Sequence, residues 1–167
     1  MQLNGSLHTF PNEIKLLIGV FIIVLSIGFY SGLLFVGETS SVQPNGIEEQ
    51  YLGNETDENA TVMKFKKSEQ EMLTLVHNHV LSMGIIFFLV GLILYTTNLN
   101  KRLKLFLMIE PFFSVIFTFG GIYLLWTGIL WIKYIIMISG SLMVLSFTMS
   151  VVITFKELFK TKRLNKH

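Results

Sequence analysis

Four apolar blocks, each long enough to cross a lipid bilayer, constrain this chain more than any motif does. The first, Leu16–Val36, is 21 residues without a charge. As a helix rising ~1.5 Å per residue it is roughly 31 Å long, the thickness of a bilayer's hydrocarbon. A backbone in lipid finds no water to bond, so helices or closed barrels are what cross it. Unbroken blocks, rather than short alternating segments, select the helix. Only 14% of the 167 residues are charged, against about 25% in an ordinary soluble domain.

The spans are expected at approximately 14–36, 73–97, 104–129 and 131–156, in a single membrane domain with a loop at 37–72. The first block is too long for a signal-peptide core and has no small-x-small cleavage site after it, so it reads as an uncleaved span. The loop carries eight acidic residues and three lysines, with Pro44-Asn45-Gly46 as a turn signal. The second span opens on polar residues, Thr74 and His77-Asn78-His79, and the third is interrupted by Glu110 and Pro111. Lys101, Arg102 and Lys104 lie in one short loop, and Lys156, Lys160, Lys162, Arg163 and Lys166 in the tail. By the positive-inside rule both are cytoplasmic, with the acidic loop outside. Tyr123, Trp126, Trp131 and Tyr134 then form the outer aromatic belt. The expected fold is an all-α, four-transmembrane-helix up-down bundle with both termini cytoplasmic.

Small and polar residues predict the packing faces. Gly28 and Gly32 stand at GxxxG spacing in the first span. Gly84 and Gly91, seven apart, place His77 on the same stripe and His79 about 200° away. In the third span Glu110, Ser114, Thr118 and Gly121 share one face. In the fourth, Ser139, Met143, Ser146 and Ser150 do. The two stripes are expected to face each other.

Two groups carry candidate chemistry. Glu110 is an ionisable side chain within a span, which points to proton-linked transport; the structural reading is a pair with Lys101, Arg102 or Lys104, or a cap at Pro111. His77 and His79 are candidate haem or transition-metal ligands, with Met83 as a further axial ligand. The structural reading is an interfacial pair bonded to backbone or loop carboxylates. An H-x-H spacing sends the two rings to opposite helix faces, so one ion cannot take both from a regular helix. The absence of Cys excludes thiol nucleophiles and Cys-ligated centres within these residues. No P-loop, GxSxG or HExxH occurs. The sequons at Asn54 and Asn59 have meaning only in a eukaryotic secretory setting, and the Ile-, Lys- and Phe-rich composition suggests a bacterium instead. Net charge of +2 gives no basis for a nucleic-acid partner.

The run Gly46-Ile47-Glu48-Glu49-Gln50-Tyr51-Leu52-Gly53, then Met63-Lys64-Phe65 and His77-Asn78-His79, resembles a pattern in small four-span bacterial inner-membrane proteins of unknown function. The resemblance covers the outer loop and second span. It implies an inner-membrane location and a shared site in which Tyr51 folds back over His77 or His79. From these readings the chain is expected to be a non-enzymatic accessory or interaction subunit, surrounded by lipid and bound to other membrane subunits or to copies of itself. The alternatives are a haem- or metal-binding redox protein using His77 and His79, and proton-linked transport using Glu110.

Overall fold

The structure, a computed structural model, describes residues 6–40, 43–55, 57 and 62–160. The sequon at Asn59 and the basic tail from position 161 onward lie outside the described residues. A 3-10 turn at Leu7–Thr9 precedes α1 (Asn12–Ser40), α2 (Pro44–Leu52), α3 (Glu69–Tyr95) and α4 (Lys101–Val115). A π-type turn, Ile116–Gly120, joins α4 to α5 (Gly121–Trp126), and α6 (Ile132–Leu158) is the last element among the described residues. Four stretches are long and apolar enough to cross a membrane: α1, α3, the continuous α4–α5, and α6. This is an all-α four-helix bundle.

Local sequence explains the boundaries. Ser68 caps α3 by accepting from the Glu71 amide, while the Glu71 carboxylate accepts from the Ser68 amide, so two otherwise orphaned donors are satisfied reciprocally. Asn100 caps α4 through its side-chain oxygen and the Arg102 amide, 2.9 Å apart. Gly128, at φ 106, ends the turn after α5 where a side chain would be strained.

Two local expectations change. Pro44-Asn45-Gly46 is the start of a helix, not an open turn, because proline at the first helical position loses no useful donor and has its φ already set. Glu110-Pro111 does not interrupt its span. The helix runs through Pro111 and adjusts further along, at the π-turn.

Packing pairs show antiparallel neighbours. Gly91 approaches Met108 and the His79 ring lies on Phe119, which sets α3 against α4 and its π-turn. Thr118 bonds Ser139, and a Cβ on Gly121 would lie 2.8 Å from Ile136 Cγ1, which sets the same rod against α6. Phe29 stacks on Phe147 at 4.1 Å and the Tyr30 hydroxyl meets Thr148 at 2.8 Å, which sets α1 against α6. Phe147 is fully buried and also takes an edge contact from Phe87 of α3. In lipid such close contact, rather than escape from water, holds helices together. An aromatic pair adds about 0.5–1.5 kcal/mol beyond its buried area.

Candidate functional site

The polar stripes of α4 and α6 meet as the sequence suggests. Ser114 is one turn along α4 from Glu110, and Ser146 projects from α6. Both hydroxyls donate to the Glu110 carboxylate, one to each oxygen. Two turns beyond Glu110, Thr118 of the π-turn and Ser139 of α6 share a 2.8 Å hydrogen bond, and Ser139 also donates to the Ile135 carbonyl. Ser114, Thr118, Ser139 and Ser146 are all buried. The carboxylate therefore has hydroxyl partners rather than the lysines and arginine of the basic loop. Lys104 turns the other way, its ammonium donating to the Tyr95 carbonyl at 3.0 Å and to that of Thr97.

The histidines part company. His79, exposed like His77, lies seven residues after buried Met72 and differs from His77 in its partners. Its ring stacks on Phe119 with centroids 4.5 Å apart, and its Nδ1–H donates to the Leu75 carbonyl at 2.8 Å. Met83, one turn further on, packs at the edge of the core. His77 is exposed, so the stripe through Gly84 and Gly91 does not carry it into the bundle. Gly91 is buried against Met108, but a Cβ on Gly84 would meet nothing within 4 Å, so the two glycines do not share one packed face. Asn78 is exposed beside His77. Neither side chain has a hydrogen-bond partner among the described residues. The Phe119 level lies two helical turns, ~10 Å, below Trp126, and Trp126 donates from its indole to the Lys67 carbonyl at 2.7 Å. His77 and Asn78 lie between two and three turns into α3 from Ser68.

The described part of the acidic loop folds as a lid, its helix α2 packing on α1, α5 and α6. Glu48 of α2 accepts from the Lys133 ammonium at 2.7 Å, at the start of α6. The Lys66 ammonium sits 5.1 Å over the Trp126 ring. Lys64 donates to the Thr39 carbonyl at 2.6 Å, at the end of α1. The Asn54 side chain is engaged on both sides, donating to the Val62 carbonyl and accepting from the Lys64 amide. Tyr51 packs against the core and its carbonyl accepts from the Lys67 amide. Burial pushes its phenol above the usual 10.0. Tyr51 reaches neither histidine ring by any hydrogen bond or ring contact among the described residues. Nor do any three His, Cys, Asp or Glu side chains there group to hold a metal ion.

One carboxylate was not singled out by sequence reasoning. Glu157, at the basic end of α6, is buried and gathers three donors: Ser6 at 3.2 Å, His8 Nδ1 at 3.1 Å and Asn98 at 3.1 Å. Lys160 stands 3.8 Å away. The turn from Ser6 to Phe10 is thereby pinned beneath the bundle, with Leu7 fully buried and its amide bonded to the Thr96 carbonyl. The available signal was a lone acid in a basic stretch at a span's end.

A family model described as a transmembrane helical domain, Aq_1264_TM, matches residues 41–165. The match covers most of the chain, which therefore belongs to that family and is a multi-pass membrane protein. No curated protein and no solved structure matches it.

Proposed function

We propose that this member of the Aq_1264_TM family is a non-enzymatic accessory subunit of a membrane assembly, joined to its partner through the exposed outer part of α3. The observation that carries the reading is Asn78, exposed beside His77 on a helix apolar enough to span the bilayer. If Trp126 marks the headgroup level, as tryptophan does in aromatic belts, Asn78 lies about two turns inside it. An amide facing hydrocarbon costs several kcal/mol unless bonded. A hydrogen bond from a neighbouring helix removes that cost and fixes the helices together. The partner is another subunit or a second copy, in a bacterial inner membrane with the basic loop inside and the lidded face outside. On this reading Glu110 is a clamp between α4 and α6, since both its oxygens already accept hydroxyls.

The test is photo-crosslinking in cells from position 81, one turn below His77 and 56% exposed. A discrete protein adduct, identified by mass spectrometry and lost on Asn78→Leu, supports the reading. If position 81 yields lipid adducts alone, with Asn78→Leu raising thermal stability, the reading is wrong.

A second reading, a histidine-bound haem or transition metal, draws on His79 alone. Its Nδ1–H is committed to a backbone carbonyl, which leaves Nε2 with a lone pair, the usual arrangement for a ligating imidazole. Visible absorbance or stoichiometric metal lost on His79→Ala supports it; a colourless, metal-free membrane preparation counts against it.

A further inference from the structure

Between α4 and α6, on the side away from α3, the surface is cut by a groove of about 680 Å³. That volume is within the roughly 300–1,000 Å³ range of small-molecule sites. Ile109, Phe113 and Phe117 line one wall, Ile138 and Leu142 the other, and Arg102 stands at the end. All five apolar side chains are at least 40% exposed. Glu110 lies on the floor, but its oxygens turn into the α4–α6 seam, where the serine hydroxyls hold them. The surface offered to an occupant is therefore apolar along its length and cationic at one end.

We propose that this groove holds one acyl chain of an anionic phospholipid, with the lipid phosphate bound by Arg102. Length supports the assignment. From Arg102 to Phe117 is 15 helical residues, ~22 Å, longer than the ~15 Å that one leaflet contributes to a ~30 Å hydrocarbon core. A chain whose headgroup sits beside Arg102 can lie wholly within the groove.

Charge supports it as well. Among the described residues neither Lys101 nor Arg102 forms an ion pair, and both are exposed. Lys104, the third cation of that loop, is committed to backbone carbonyls at the end of α3. Guanidinium matches phosphate through paired, parallel hydrogen bonds that an ammonium cannot reproduce. The cation also stands where a phosphate would, at the helix end level with the headgroups, while the apolar walls run from it toward the bilayer centre. A basic pocket between spans at this level suits an anionic headgroup.

The experiment is native mass spectrometry of the full chain released from detergent micelles doped with equal phosphatidylglycerol and phosphatidylcholine. One phosphatidylglycerol should be retained in preference by about tenfold, the effect of a charge-assisted hydrogen bond. Arg102→Gln should bring the two lipids to parity, and Arg102→Lys should fall between. Leu142→Trp, or Ile138→Trp should the first not fold, fills the groove and should remove the bound lipid while the helical circular dichroism persists. Equal retention of both lipids by the unaltered chain overturns the proposal, as does undiminished preference in Arg102→Gln. So does a groove-filled variant that keeps its lipid but loses an oligomeric state, since the groove would then belong to a protein helix.

Discussion

Gly53 is where the lid is most vulnerable. Its backbone stands at φ 85 and ψ 172, a region open essentially to glycine alone. A Cβ added there would lie 2.8 Å from the Lys66 amide nitrogen and 2.9 Å from the Lys64 carbonyl oxygen. Both are backbone atoms, fixed by hydrogen bonds from Lys67 to Tyr51 and from Asn54 to Lys64, so neither can yield as a side-chain tip could. Gly53→Ala must change the local backbone or part the two strands of the loop. The conformational cost alone is about 1–3 kcal/mol, which shifts the closed-to-open ratio of the lid roughly 5- to 150-fold. Trp126 is a built-in reporter, with its indole bonded to Lys67 and the Lys66 ammonium over its ring. In a Trp131→Phe background, Gly53→Ala should shift Trp126 emission to the red and increase acrylamide quenching. Helical circular dichroism should stay constant, because the four spans do not depend on the loop. Gly28→Ala, where a Cβ meets nothing within 4 Å, is the matched control. Unchanged emission and quenching in Gly53→Ala would refute the reasoning.

Other consequences follow from the seam, the pinned turn and the buried phenol. Ser146→Ala should lower thermal stability in detergent by about 0.6–1.7 kcal/mol, the range for interhelical hydrogen bonds in membranes, and Glu110→Leu combined with it should cost less than the two single changes added together. Glu157→Ala should free the chain before α1, seen as new protease cleavage near His8 with the spans intact; full protection would show that Leu7 alone holds it. Tyr51 bears on alkaline stability. Its phenol is raised in the folded chain, so its contribution is fully present below the unfolded value of about 10. That contribution fades as pH rises through the folded value. Quenching of Trp126 should therefore increase above pH ~10, and Tyr51→Phe should remove that alkaline limb.

The bundle was legible because lipid imposes one demand, long charge-free helices, that composition reveals directly. The α4–α6 seam was legible for a related reason: Glu110, Ser114, Thr118, Ser139 and Ser146 are conspicuous in apolar surroundings, and helical spacing alone aligns them. Which partner Glu110 takes was not legible. Lys104 is nearer in sequence than Ser146, but its reach is taken up by carbonyls at the end of α3. The seven-residue spacing of Gly84 and Gly91 misplaces His77, because Gly91 packs on Met108 while a Cβ on Gly84 meets nothing within 4 Å. The α2 helix was obscured by a Pro-Asn-Gly triplet that suits a turn and a helix start equally well. Glu157 was hidden because its donors come from Ser6, His8 and Asn98, far away in sequence.

The seating of α1 has a consequence for how the protein is made. Its anchors, Phe29 on Phe147 and Tyr30 on Thr148, join residues 118 positions apart. Helix α1 therefore leaves the ribosome well before α6, the helix it docks on. At ~5–20 residues per second, translation alone imposes an interval of roughly 6–24 s. Throughout that time Phe29 has no Phe147 to stack on, so α1 must wait among lipids or against the insertion machinery. A chain truncated before α6 would leave α1 without Phe147 and Thr148 to pack on, more open to any quality-control protease that recognises orphan membrane helices.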